Sequence, residues 1–283
     1  MIAITGASGQ LGRLVVEALL ETVPAAQIVA AVRDPAKVAD LAARGVQVRL
    51  ADYGRPDTLV PAFQGIDKLL LISSSEVGQR VEQHRHVIDA ARQAGVGLVA
   101  YTSLLHADRS PLGLAAEHVA TEALLKASGL PHVLLRHGWY TENYLASIAP
   151  ALQHGAYIGS AGAGRIASAT RADYAAADVA VLLRDDQAGR VHELAGDQAY
   201  TLAELASEIS RQSGRSVVYQ DLPQADFQAA LLGAGLPEPL AALLADSDAG
   251  AAQGALFDDS HQLSALIGRP TTPLAGLVRA AVQ

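Results

Sequence analysis

The residues best suited to chemistry come at the start of the chain. Gly6, Ala7, Ser8, Gly9, Gln10, Leu11 and Gly12 follow a short apolar run, Ile2 to Thr5, and open an amphipathic one. Glycines at this spacing have three distinct uses: the first permits a tight turn, the second lets backbone approach a pyrophosphate, and the third lets a helix pack closely on its strand. A helix beginning here presents free N–H groups and a positive dipole end to the anion. Such a turn can also be purely structural, but its place between a strand and a helix is the context dinucleotide binding requires. A Walker-type loop is excluded, because no Lys-Ser or Lys-Thr pair follows.

The next charged positions bear on which dinucleotide. An acidic side chain at the end of the second strand holds the ribose 2′-hydroxyl of NAD, whereas an arginine accommodates the 2′-phosphate of NADP. Arg33 stands at that strand end. Asp34-Pro35 reads as a helix N-cap followed by the first helical position, which gives Asp34 a capping role. Lys37, about one turn on, can add charge. A solvated surface arginine is the bland alternative for Arg33; NADPH is the expected cofactor. Asp52, after the third strand, can reach an adenine or cap the following turn, and the sequence leaves both open.

Acid–base machinery is sparse. A hydride enzyme that must manage an alkoxide commonly uses Tyr-x-x-x-Lys, the lysine lowering the tyrosine's pKa. None of the 8 tyrosines has a lysine four positions later. Ser103 lies where such enzymes place a serine, but Glu117 to Glu122 of the following helix holds no lysine, and its His118 and Glu122 are more often a solvated i,i+4 pair than a proton relay. A quinone acceptor asks less, since its two-electron product is a stabilised hydroquinone anion. The protein then needs only to hold the acceptor against the nicotinamide and exclude competing reactions. Ser73, Ser74 and Ser75 follow the fourth strand and can line the cofactor ribose. Arg136 to Tyr144 follows the sixth and concentrates the only Trp, Trp139, with Tyr140, Tyr144 and Asn143. That set suits a flat aromatic acceptor and a carboxamide, with Tyr140 and Asn143 as acceptor-positioning candidates; the same aromatics can also pack two lobes together. The 9 histidines form no metal-ligand pattern, and no G-x-S-x-G elbow points to a hydrolase.

These residues need a scaffold. The 283-residue chain is 50% hydrophobic and 18% charged, enough for a large core. Its net charge of −8 and lack of basic runs argue against a nucleic-acid partner. Cysteine is absent, no apolar stretch approaches a membrane span, and the first strand begins at Ile2, so a cytoplasmic protein is expected. Strands are expected at Ile2–Thr5, Ile28–Val32, Val46–Leu50, Lys68–Ile72, Leu98–Thr102 and Val133–Leu135. Helices are expected at Gln10–Thr22, Pro35–Arg44, Val77–Ala94 and Leu114–Ser128, two of them stopped by Gly95 and Gly129. The alternation predicts an α/β fold: a Rossmann-type doubly wound parallel sheet with a smaller mixed α/β C-terminal lobe. Residues 1–137, with returning segments of the second half, form the NADP-binding domain, and 138–283 mainly the substrate-binding lobe. In that lobe Gly155–Gly164 predicts a turn or short hairpin, and Thr201 to Glu204 a capping box opening a helix. Short strands are expected at His192–Leu194 and Val217–Tyr219. Ala225–Ala245 should be helical, with a break near Leu236-Pro237.

Six segments together resemble the NmrA-like atypical short-chain dehydrogenases: Met1–Gly12, Leu69–Arg80, Ala100–Asp108, Gly138–Ala146, Ile166–Tyr174 and Leu266–Thr272. The glycine spacing, GxxGxxG, is a variant found in that group. The resemblance implies flavin-free, NADPH-dependent reduction of quinones; a monomer or homodimer is expected. It implies cofactor contacts at Gly6 through Leu11, Arg33, Ser73 to Ser75, His137, Gly138, Trp139, Tyr140, Thr141, Glu142 and Ser168. Asn143 falls near the nicotinamide or quinone. His137 departs from the asparagine the family leads one to expect there. The same family holds triphenylmethane-dye reductases and NADP-sensing regulators without chemistry, so other conjugated aromatics and a purely sensing role stay open.

Overall fold

The computed structural model describes residues 1–283. Strands form at β1 (Ile2–Thr5), β2 (Ile28–Val32), β3 (Gln47–Leu50), β4 (Lys68–Leu71), β5 (Leu98–Leu104), β6 (His132–His137), β7 (Ala156–Gly159), β8 (Val191–Leu194) and β9 (Val218–Asp221). The helices of the first half are α1 (Gln10–Leu19), α2 (Ala39–Ala43), α3 (Leu59–Phe63), α4 (Arg80–Ala94) and α5 (Ala115–Ser128). The second half adds α6 (Thr141–Leu145), α7 (Ile148–His154), α8 (Arg171–Leu182), α9 (Leu202–Ser213), α10 (Gln224–Gly233), α11 (Glu238–Ala252), α12 (Gln262–Ile267) and α13 (Leu274–Ala281).

Seven strands form one parallel sheet in the order β3-β2-β1-β4-β5-β6-β8. The near-continuous apolar runs are explained by coverage on both faces. On one face Ile4, Ile28 and Val133 pack with Leu11, Val15 and Leu19 of α1 and with α8 and α12. On the other, Ala3, Val29 and Tyr101 pack with Phe63, Val87 and Leu125 of α3, α4 and α5. The order reverses direction between β1 and β4, and a crevice opens there at the strands' C-terminal ends, where open α/β sheets take ligands. A third cluster, including Trp139, Tyr157, Leu202 and Leu256, is the core of the smaller lobe.

The Rossmann-type expectation matches this architecture, with departures in particular elements. Helix α4 starts at Arg80 rather than Val77, because Ser73 to Gly78 is a loop bordering the crevice. Gly155–Gly164 is not a hairpin: β7 pairs in parallel with the distant β9, with Ile158 opposite Gln220. Gly159 lets β7 lie close against α9 and α11, since a Cβ there would stand 2.7 Å from Leu202 and 2.8 Å from Asp248. Strand β8, helix α8 and helix α12 return from the second half to the main sheet. The expected capping box is present, Thr201 and Glu204 each bonding the other's backbone N–H. No helix is long and apolar enough to cross a membrane.

Candidate functional site

A cavity of about 280 Å³ lies at the reversal point, lined by Gly6, Ser8 to Gly12, Arg33, Asp52, Tyr53 and Ser73 to Glu76. The glycine turn is built tightly. Gly6 adopts φ +58°, and Gly9 N–H donates to its carbonyl at 2.9 Å. A Cβ on Gly12 would stand 2.4 Å from the Gly6 carbonyl oxygen and 2.9 Å from the Ala7 Cα, so only glycine lets α1 approach this closely. Ala7 itself is fully buried beneath the turn. Helix α1 has no side-chain cap and no acidic residue in its first turn, although both are common devices for satisfying free N–H groups. An uncapped N-terminus bordering a cavity fits an anionic phosphate.

The rest of the cavity wall is fastened from behind. Ser73 N–H donates to Thr102 Oγ1 (2.9 Å), and Ser74 N–H donates to His84 Nε2 (2.9 Å). The Ser74 carbonyl accepts from Arg80 Nε at 2.7 Å, while its hydroxyl donates to Gln83. The tautomer of His84 follows. Its Nε2 accepts, so its Nδ1–H donates to Thr121 Oγ1 (2.9 Å), which in turn donates to the Glu117 carbonyl. Burial lowers the His84 pKa to about 3, with the Arg80 charge adding to the effect.

That depression fixes a sign. The folded pKa lies below the ordinary value of 6.5, so the folded chain binds fewer protons than the unfolded one between those limits. Stability from this group is full above the upper limit and is lost as pH falls toward the lower, at about 1.4 kcal/mol per pH unit. His118, also lowered to about 3 by burial, acts in the same direction. Replacing His84→Gln, which can keep an acceptor for Ser74 and a donor for Thr121, should remove about one proton from the acid slope. Urea unfolding at pH 7 and pH 5 measures it; equal slopes in variant and parent would contradict this account.

Arg33 reaches the cavity rim from the end of β2, with 65% of its side chain exposed, and pairs with Glu76 at 2.7 Å. Asp34 caps its own turn, accepting from Ala36 N–H at 3.0 Å, as expected. Asp52 accepts from Gly54 N–H (2.9 Å), the turn-capping role, and also lines the cavity.

A second cavity adjoins the first, sharing Ser8, Gly9 and Gln10 and adding Arg13, Glu142 and Arg171. Arg171 was not among the sequence candidates, although it lies inside the segment Ile166–Tyr174. Its guanidinium sits 4.2 Å above the Tyr140 ring, donates to Asn143 Oδ1 at 3.1 Å and stands 3.4 Å from Glu142 Oε2. Its backbone N–H donates to Glu142 Oε1 at 2.9 Å. Tyr140, Glu142 and Asn143 are thus gathered on one residue from the start of α8.

Of that group only Glu142 lines a cavity, and His137, Gly138, Trp139, Thr141 and Ser168 line neither of the two. His137 is buried, stacked on Tyr174 at 4.6 Å and bonded through Nε2 to Asp178 at 2.8 Å. Burial pushes the Asp178 carboxyl up, against the opposing pull of His137. Gly138 N–H donates to the Leu194 carbonyl, tying the loop to β8, and Trp139 packs in the core of the smaller lobe. Thr141 Oγ1 and Ser168 Oγ are 2.8 Å apart, and Ser168 continues to the Tyr200 hydroxyl at 2.7 Å.

Three weaker candidates resolve differently from expectation. His118 and Glu122 are neither a relay nor a solvated pair. His118 is buried against the Tyr101 hydroxyl (2.8 Å), while Glu122 holds Arg136 with two bonds of 3.0 and 2.8 Å. Ser103 donates to the same Glu122 at 2.6 Å, so its hydroxyl is turned into an ion cluster completed by Asp108 and Glu193.

This geometry agrees with what the chain is similar to. The family model described as NAD(P)H-binding matches residues 6–187. Quinone oxidoreductase 2 of Escherichia coli is 63% identical, over 97% of this chain and 96% of its own. The crystal structure of the Escherichia coli NADPH-dependent quinone oxidoreductase complexed with NADPH superposes with a TM-score of 0.98, at 62% identity and 100% coverage of both chains. Triphenylmethane reductase of Citrobacter sp., complexed with NADP(H), gives 0.96 at 38% identity, covering 99% of this chain and 100% of its own. An NmrA-like family domain-containing oxidoreductase of Aspergillus flavus is 31% identical over 76% of this chain and 72% of its own. The chain therefore belongs to the NAD(P)H-binding family, among its NmrA-like members.

Proposed function

We propose that this chain is an NADPH-dependent quinone oxidoreductase that passes a hydride directly from the nicotinamide, without flavin or metal. The observation that carries the reading is one cavity with an uncapped, acid-free helix N-terminus at its floor and Arg33 at its rim. The two features suit two parts of NADPH: the turn takes the pyrophosphate common to both nicotinamide dinucleotides, and Arg33 takes the 2′-phosphate that distinguishes NADPH from NADH. Full-length similarity to an enzyme named as a quinone oxidoreductase supports the acceptor. NADPH, when bound, supplies the hydride from its nicotinamide C4. The chain's residues bind and orient: Ser73 to Ser75 border the ribose, and the Tyr140–Glu142–Asn143 group held by Arg171 positions the ring and the acceptor. No residue at this surface is arranged as a strong acid or base, which suits an acceptor whose reduced anion is protonated by water. Residues 1–137 with the returning segments bind the cofactor, and 138–283 mainly hold the acceptor, in a cytoplasmic monomer or homodimer. The likeness to triphenylmethane reductase supports a second reading in which other conjugated aromatics are accepted.

Two measurements test the proposal. Purified protein should consume NADPH when a simple benzoquinone is added, above the nonenzymatic rate; no enzyme-dependent consumption across quinones and dyes would leave only a binding role. Asn143→Ala should lower kcat by about tenfold or more while changing NADPH affinity little, as expected of a group that orients the reacting partners. Unchanged turnover would remove Asn143 from the site.

A further inference from the structure

We propose that Glu76 sets the balance between NADPH and NADH by competing with the 2′-phosphate for Arg33. The inference rests on the reading of Arg33 as the partner of that phosphate. Both side chains line the same cavity, and their charged ends meet at 2.7 Å. An exposed ion pair is ordinarily a loose association. Here one partner is fixed.

Glu76 N–H donates to Ser74 Oγ (3.1 Å), and Glu76 Oε2 accepts from Gln83 Nε2 (2.8 Å). Ser74 is in turn bonded to Gln83, and its carbonyl is clamped by Arg80, which pairs with Glu117. The carboxylate is therefore held at the rim by α4, with 40% of its side chain still open to solvent. Arg33 sits at a strand end with 65% of its side chain exposed and is the mobile member.

A phosphate arriving at Arg33 must share the guanidinium with Glu76 or displace it, and either way it binds close to a carboxylate that cannot swing away without breaking its bond to Gln83. Like charges at this separation disfavour one another. NADH brings no charge to this position. Its ribose 2′-hydroxyl can even donate to a carboxylate, the arrangement NAD-binding sites use. Glu76 thus lowers the preference for NADPH that Arg33 alone would confer and keeps NADH admissible.

The test is the dissociation constant of each cofactor, titrated without an acceptor, for the parent, Glu76→Gln and Arg33→Ala. Glutamine keeps the length of the side chain and an acceptor for Gln83 but removes the charge. Glu76→Gln should bind NADPH about three- to tenfold more tightly, the range set by an exposed pair and its direct repulsion, and leave NADH within about twofold. The gain should shrink at high salt. If Glu76→Gln leaves NADPH binding unchanged or weaker while Arg33→Ala selectively weakens NADPH, the role of Glu76 is overturned and that of Arg33 stands. If Arg33→Ala weakens both cofactors equally, the reading of Arg33 falls and this inference falls with it.

Discussion

Replacing Gly12→Ala is expected to reduce NADPH affinity by about a hundredfold or more. The added Cβ would meet the Gly6 carbonyl oxygen at 2.4 Å and the Ala7 Cα at 2.9 Å, both backbone atoms. No flexible side chain can yield, so the turn or the whole of α1 must shift. Overpacking of this kind destabilises by about 1–3 kcal/mol. A displacement of about an ångström at a positioning element is enough to lose about a hundredfold in function. Cofactor titration and thermal unfolding measure the two parts. Gly276→Ala is the control, because Gly276 lies in α13 with nothing within 4 Å of the new methyl, and it should be neutral or stabilising. Normal NADPH binding by Gly12→Ala would contradict the packing account of the turn.

The second large effect is expected at Arg33. Removing a guanidinium that makes charge-assisted bonds to a phosphate costs about 1.5–3 kcal/mol, roughly a ten- to hundredfold loss of NADPH affinity. NADH has no group at this position and should be little affected. Arg33 is exposed, so Arg33→Ala should fold normally, and its loss also frees Glu76. Steady-state kcat/KM with each cofactor separates the outcomes: a selective fall for NADPH supports the assignment, and equal falls contradict it.

How far the sequence reaches depends on whether a feature is local. Strands β1 and β2, the glycine turn, the Asp34 cap and the Thr201–Glu204 capping box are set by residues within one or two turns of each other, and each appears where its spacing places it. The strand-to-helix context of Gly6–Gly12 located the cavity for the same reason. What the sequence hid is tertiary. Arg171 is 29 residues from Glu142, and Glu76 is 43 from Arg33, so neither pairing leaves a periodic signal. Both residues stand inside the segments that carry the family resemblance, and that was the available clue. The parallel β7–β9 pair was unreadable for a similar reason, since strands this far apart in sequence leave only a glycine-rich stretch that mimics a hairpin. His118 and Glu122 misled in the opposite sense. Their i,i+4 spacing suggested a common role, yet burial sends one to Tyr101 and the other to Arg136.

The claim on which the rest depends is that NADPH held in this cavity delivers its hydride straight to a quinone. The most direct measurement mixes the preformed protein–NADPH complex with benzoquinone in a single turnover and follows the loss of the reduced nicotinamide, with hydrogen or deuterium at the transferred C4 position. The account predicts that bound NADPH is oxidised faster than free NADPH, in protein free of flavin, and that deuterium slows the step. Oxidation of bound NADPH no faster than in free solution would contradict it.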